Sequence, residues 1–355
     1  MSLVSLDGSQ FTDIDTFLLG ALTLAGATGN GFEMEEVGKI AGNPGVTARH
    51  VTAIRTMAAV CNAEIEGDAL SAKKVRFVPT NEARARDRLV DIGEVTGRPS
   101  PESVTPLMEM LIPVLARAAE DSLFRFRGAN ATPFAPSAFW LRETLVPMLT
   151  LLDMTVGVEI EKWGWYPDGG GETTLLVEGG WTGETASSLI WQERGDCFEL
   201  WALVALSPRM NRRVGKQMLR ATQEALANEP IQYINVEETR VRSPGPGSGL
   251  FIALQFEQTT AGFESVSYKG MSAEQVVEDA TASMSNYFWS DAAFEPELAR
   301  SLMLPLALTG REATFTTSEI TLPMRVLEYL IPRFLPLDVT VSKHPTGGQV
   351  TFKPR

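Results

Sequence analysis

The sequence predicts an α+β protein: a large domain of three βαβαββ-type repeats, residues 1–180 and 271–355, with a smaller inserted α+β domain at 181–270. Two observations carry the repeats. The segments Arg49 to Gly67, Leu141 to Lys162 and Met324 to Lys343 share one pattern, a charged helix start, an apolar stripe at three- and four-residue steps, and then an alternating strand. Pro113, Pro147 and Pro332 recur near their helix ends in similar contexts. Three such units imply helices packed on small sheets in a pseudo-threefold arrangement. The third observation marks the insertion: between Gly179 and about Gly270 the pattern changes to strands around one long basic helix.

In order, Val4 and Leu6 form a first strand, and the apolar run from Phe17 to Ala25 forms a helix stopped at Gly29. Phe32 to Val37 reads as a strand, Thr47 to Asn62 as a helix behind Pro44-Gly45, and Glu64 to Glu66 with Val75 to Val78 as two strands. Asn81 to Arg98 carries Arg84, Arg86 and Arg88 and reads as a solvated face. Phe124 and Phe126 alternate with Arg125 and Arg127 as in a half-buried strand. Pro136 suits a first helical turn, and Leu141, Leu145, Met148, Leu149 and Leu152 make its buried stripe. The strand of Val156, Val158 and Ile160 leads to Trp163, Trp165 and Tyr166, expected to pin the loop Gly169-Gly170-Gly171 to the domain. Within the insertion, Leu189 to Gln192, Phe198 to Leu206, Ile231 to Val236 and Leu250 to Phe256 read as strands, and Arg209 to Asn228 as the helix. Ser272 to Trp289 and Pro296 to Gly310 then return to the large domain as helices.

At 355 residues with 44% hydrophobic content, the chain buries a sizeable core. The net charge of −13 opposes non-specific binding to polyanions, which leaves local basic surfaces as the place for such contacts. Two cysteines, Cys61 in an apolar helix and Cys197, make no disulfide framework, so a reducing, cytoplasmic setting is expected. The apolar runs are too short for a membrane span, and no leader is visible. His50, at a helix start, is expected to pack or hydrogen-bond, and His344 to be exposed; neither belongs to a zinc pattern or a hydrolase triad. No metal site is expected; Asp13 and Asp15 are weak oxygen-ligand candidates that also suit a helix start. The basic side of the 209–228 helix, Arg209, Arg212, Arg213, Lys216 and Arg220, is the candidate surface for an RNA or protein partner.

The stretch RGANATPFAPSAFWLRETLVPML followed by GWYPDGGGE, together with Leu6-Asp7-Gly8-Ser9, Pro44-Gly45, Ser243-Pro244-Gly245-Pro246-Gly247 and Phe315-Thr316-Thr317-Ser318-Glu319, resembles the RNA 3'-terminal phosphate cyclases over essentially the full length. The resemblance implies a three-repeat large domain related to EPSP synthase with an inserted domain. It also implies ATP-dependent chemistry with a divalent ion: a histidine takes AMP, passes it to an RNA 3'-phosphate, and the 2'-hydroxyl displaces it. Here the family's histidine position falls on Pro323. The family's glycine-rich phosphate stretch is replaced by Phe11 to Thr16, its arginine pair by Gly38 and Ala41, a glutamine by Arg49 and an aspartate by Arg300. The expectation is a cyclase-like protein without cyclase activity and without a cofactor, acting as a binding or scaffold protein. The alternative is an ATP- and Mg-dependent RNA-end enzyme with a rearranged cleft drawn from Asp13, Asp15, Arg49, His50, Pro136, Arg300 and Arg325.

Overall fold

The structure is a computed structural model that describes residues 3–40, 42 and 45–355; Ala41 and Pro44 lie outside the described residues. The first repeat runs β1 (Val4–Asp7), α1 (Ile14–Thr28), β2 (Phe32–Glu35), α2 (Ala48–Cys61), β3 (Glu64–Glu66) and β4 (Val75–Val78). Its helix ends are set locally. Asp13 caps α1, Thr47 caps α2, and Gly29 and Asn62 close the two helices in the left-handed conformation. The second repeat comprises β5 (Asp87–Asp91), α3 (Gly93–Thr96), α4 (Thr105–Ala116), β6 (Ser122–Gly128), α5 (Ala138–Trp140), a π-helical turn (Leu141–Leu145), α6 (Val146–Thr150), β7 (Val156–Lys162) and β8 (Gly171–Val177). The π turn lies directly ahead of Pro147, which has no amide hydrogen to donate and whose ring crowds the preceding turn.

The third repeat opens with β9 (Ile190–Trp191) and is interrupted by β10 (Cys197–Leu206), α7 (Arg212–Leu226), β11 (Tyr233–Arg240), β12 (Ser248–Phe256), β13 (Thr260–Val266) and α8 (Ala273–Phe288). It resumes with α9 (Pro296–Leu308), β14 (Ala313–Thr317), α10 (Leu322–Phe334), β15 (Leu337–His344) and β16 (Gly347–Pro354).

Pairing exposes the repeat. The sheets β1-β2-β4-β3, β5-β6-β8-β7 and β9-β14-β16-β15 have one order: a parallel first pair, then two antiparallel neighbours. Apolar faces of all three sheets and their helices share one core.

The inserted strands form a fourth sheet, β11-β10-β12-β13, with a separate core beneath α7 and α8. Two boundaries therefore move. The strand expected at Leu189 to Gln192 is β9, which pairs with β14 in the third large sheet, so the smaller unit does not begin at 181. The helix after Ser272 does not return to the large domain at 271, because Val276, Val277, Ala280, Met284 and Tyr287 bury against the small sheet.

Local corrections follow similar logic. The basic helix starts at Arg212 behind an Asn211 cap, leaving Arg209 in the preceding turn. The strand placed at Ile231 to Val236 runs Tyr233–Arg240, where pairing with β10 holds it. The charged segment at 81–98 includes β5, an edge strand parallel to β6. Pro136 lies before its helix, because Ser137 is the cap: its side chain accepts from Trp140 N. His344 is half-buried, with Nδ1 against Thr346 Oγ1 at 2.9 Å.

Trp163 and Trp165 bury between the two domains, stacked at 5.3 Å and packed on Phe251 of β12. Gly247 makes that contact feasible, since a Cβ there would lie 2.1 Å from the Trp165 ring. Both indoles are occupied by packing.

Candidate functional site

Helices α1, α4 and α9 converge on a cavity of about 360 Å³, closed by Arg49 of α2, the 134–136 loop and the start of α10. Its wall brings together Asp13, Asp15, Arg49, Pro136, Arg300 and Pro323. A second cavity of about 480 Å³ lies toward the small sheet and shares Phe134, Ala135, Pro136 and Glu297 with the first. The cleft thus runs between the two domains, a usual place for ligand sites.

The charges in the first cavity are arranged in closed groups. Asp13 caps α1, its Oδ1 accepting from Thr16 N at 3.0 Å. Asp15 accepts from Arg49 Nη2 and lies 2.6 Å from His50 Nε2. Burial works to raise the Asp15 carboxyl, but the His50 hydrogen bond and the Arg49 charge outweigh it and hold the group well below the usual carboxylate range. His50 is fully buried behind this pair. Its Nδ1 accepts from Thr47 N at 3.1 Å, completing a capping box, so the ring proton sits on Nε2 and is donated to Asp15. With both nitrogens engaged, the imidazole is a structural strut and presents no lone pair to the cavity.

Arg300 is locked in the same manner. Its Nη2 donates to Glu109 Oε2 at 2.7 Å and to Glu297, and its Nε donates to Glu297 Oε1 at 2.9 Å. Burial raises the Glu109 carboxyl above its ordinary range despite Arg300 beside it. Arg325 does not line the cavity: Nη1 donates to Glu328 at 2.8 Å and to Val341 O at 2.6 Å, which pins α10 to β15.

Two further carboxyl groups belong to the second cavity, the buried Glu295 behind it and the half-buried Glu264 in its wall. Glu295 caps α9, accepting from Glu297 N at 2.6 Å, Leu298 N at 2.9 Å and Trp140 Nε1 at 3.2 Å, and burial pushes it up to about 8. Glu264 accepts from Ser137 N at 2.7 Å and Ser137 Oγ at 2.5 Å, and burial pushes it up to about 7.

Glu109, Glu297, Glu295 and Glu264 were absent from the residues chosen by sequence. Only Glu295 left a local signal, an acidic cap directly before the helix-starting Pro296.

The site therefore belongs to a repeat-built α+β protein with a ligand-sized cleft between its domains. A family model described as RNA 3'-terminal phosphate cyclase matches residues 15–341. Relatives named RNA 3'-terminal phosphate cyclase include one from Methylococcus capsulatus, 29% identical with 98% of this chain and 96% of that protein covered. Another, from Salmonella enteritidis, is 31% identical with 97% of each covered, and one from Trichormus variabilis is 26% identical with 96% and 97% covered. The chain belongs to the RNA 3'-terminal phosphate cyclase family.

The residues present do not fit the ATP and divalent ion that the family resemblance implies. Both arginines of the cavity already face carboxylates, and Asp13, Asp15, Glu109 and Glu297 would meet a triphosphate with like charge. Asp13 and Asp15 are committed to the helix cap and to Arg49 with His50, and no three His, Cys, Asp or Glu side chains among the described residues converge on a metal position. Among the described residues no helix is long and apolar enough to cross a membrane.

Proposed function

We propose that this member of the family does not transfer adenylate and works as a binding protein, engaging RNA or an acidic protein surface through α7. The observation that carries this reading is Pro323. It lines the cavity where the family's histidine position falls, and its ring offers no nucleophile. The paired state of Arg49 and Arg300 supports the same conclusion, because neither guanidinium is left to stabilise charge developing on a phosphate.

The cations of α7 and of the turn before it are, by contrast, available. Arg209, Arg212, Arg213, Lys216 and Arg220 are all exposed, and among the described residues only Arg220 is ion-paired, with Glu224 at 2.7 Å. Arg212 and Arg213 sit in the first turn, where the helix dipole disfavours positive charge. An anionic partner would offset that cost.

Incubation with α-labelled ATP and Mg²⁺ or Mn²⁺, followed by a denaturing gel, tests the proposal. The expected result is no labelled protein. A covalent adenylate would overturn it in favour of the ATP-dependent enzyme that the relatives' name describes.

A further inference from the structure

An edge strand invites another chain, because every second residue turns its N–H and C=O away from the sheet with no partner. Most edges in this molecule are closed or short. In β15 the amide of Val341 donates to Glu328 Oε1 at 2.7 Å and its carbonyl accepts from Arg325 Nη1 at 2.6 Å. β7 is broken by a bulge between Ile160 and Lys162, and β13 is largely buried, with Gly262 against Trp140 and Thr144 of the large domain. β1, β3, β5 and β9 have five residues or fewer. β11 differs from all of these. Its eight residues pair in unbroken register with β10, from Glu199 with Tyr233 to Leu206 with Arg240. Among the described residues, no group bonds to its main chain from the outer side.

The direction of α7 over this edge is fixed by two contacts. Arg240 Nη1 donates to Met210 O at 2.7 Å, and Glu238 reaches Gly215, where an added Cβ would lie 2.6 Å from its Oε1. The helix therefore starts over the end of β11 and runs back along it. Side chains alternate faces along a strand, so Val236, packed on the core beneath α7, shares the helix side with Glu238 and Arg240, while Tyr233 and Glu237 face away. A strand added outside β11 would lie about 4.8 Å from it, within reach of side chains as long as those of Arg212, Arg213 and Lys216 in the first two turns of α7. Glu238 adds little repulsion there, since Arg240 Nε lies 3.9 Å from its carboxylate.

We propose that β11 takes up an extended acidic peptide as a fifth strand of the small sheet, its main chain bonding to the open edge and its acidic side chains meeting the α7 cations. The assignment rests on the reading of α7 as the partner surface and supplies the form of the partner. It also sets a pattern: an acid at every second residue toward α7, and apolar or β-branched residues between, on the face of Tyr233, which is 62% exposed. An RNA strand would satisfy the cations, but its backbone does not repeat amide donors and acceptors at the strand spacing.

Fluorescence anisotropy of the intact protein with a labelled peptide of alternating glutamate and valine, matched in length to β11, tests the assignment beside hydrogen exchange of the 233–240 amides. Saturable binding that weakens with salt and slows exchange over 233–240 is expected. Two N-methylated versions of the peptide, one blocked at its glutamates and one at its valines, keep the charge and separate the two main-chain faces. Only one face can bond to β11, so one version should bind about tenfold or more weakly and the other should bind as before. Arg212→Glu, Arg213→Glu and Lys216→Glu together should weaken binding about tenfold or more, and a lysine-valine peptide should not bind. The same effect from both methylations, unaltered exchange over 233–240, or equal binding of the lysine-valine peptide would each overturn the proposal. Tighter binding of an oligouridylate that displaces the peptide would make RNA the occupant and overturn it too. Salt-sensitive peptide binding that the glutamate variant loses, without slowed exchange over 233–240, sinks this inference alone. Failure of both peptide and oligouridylate to bind sinks the α7 reading with it.

Discussion

The two cations of the cavity and three of those on α7 stand in opposite states. In the cavity, Arg49 is tied to Asp15, and Arg300 to Glu109 and Glu297. On α7, Arg212, Arg213 and Lys216 stand in water with no ion partner among the described residues. The difference teaches that a cation's presence in a cleft is not its availability. In a chain with 44 acidic and 31 basic residues, the interior carboxylates claim the interior cations, and the outer face of α7 keeps three of its cations in water. Sequence alone offers Arg49 and Arg300 for the cleft and Arg212 for a partner surface without telling a paired cation from a free one; their partners separate them.

The sharpest way to break the comparison is to remove a locked cation. Arg300→Met strands Glu109, which is only 9% exposed on its side chain, against Glu297. Unpairing a buried charge costs about 3–5 kcal/mol. Denaturant unfolding should show a loss of that size, partly restored by adding Glu109→Gln. A loss typical of a surface residue would mean that the cavity cation is as free as those on α7.

The next effect is a pH dependence carried by the carboxylates behind the cleft. Glu295 has an ordinary value of 4.5 and is pushed up to about 8 in the fold by burial. Below about pH 4.5 it is protonated in both states and its contribution is fully present; as pH rises toward about 8 the unfolded chain ionises first and that contribution is lost. Glu264 acts in the same direction. Asp15 has the opposite sign, since its depressed value gives stability that is present above the ordinary carboxylate range and lost as pH falls below it. Stability should therefore decline on the order of 2 kcal/mol between about pH 5 and pH 8. Urea midpoints at the two pH values measure it, and Glu295→Gln should flatten the slope. A slope unchanged by that substitution would show that Glu295 is ionised in the fold.

Much of the architecture was legible because its causes are local. Thr47 and Asn62 bracket α2, and the alternation of Phe124 and Phe126 with arginines fixes β6 and its buried face. Five of the seven residues chosen for the cleft, Asp13, Asp15, Arg49, Pro136 and Arg300, line one cavity together with Pro323, while His50 and Arg325 do not. What escaped depends on partners far along the chain. The Ile190–Trp191 segment reads as a strand, but nothing nearby says that it pairs with Thr314 and Phe315. The stripe of α8 is plain, yet it does not declare which sheet it covers. β5 hides because an edge strand tolerates charge, and Asp87 and Arg88 disguise it as a loop. Glu109 reads as a solvated residue in an apolar helix until Arg300, 191 positions away, is folded against it.

The smallest stability effect, and the one that sharpens the contrast most, belongs to α7. Replacing Arg212, Arg213 and Lys216 with glutamate should alter stability by about 0.5 kcal/mol or less, since exposed side chains without partners lose nothing on replacement. Acidic residues in the first turn also interact favourably with the helix dipole, so the change should fall on the stabilising side. Partner capture should respond quite differently. Exposed charges are screened over about 8 Å at physiological ionic strength, so a complex held by this face must weaken as salt rises, and the charge-reversed protein should recover little of it at any salt. A pull-down from the native cell at low and high salt, run beside thermal unfolding of both proteins, reads the two quantities separately. Unchanged unfolding with lost, salt-sensitive capture places the working cations on α7. Equal capture by both proteins at both salt levels would return α7 to the status of a solvated face and leave the cleft as the remaining site of function.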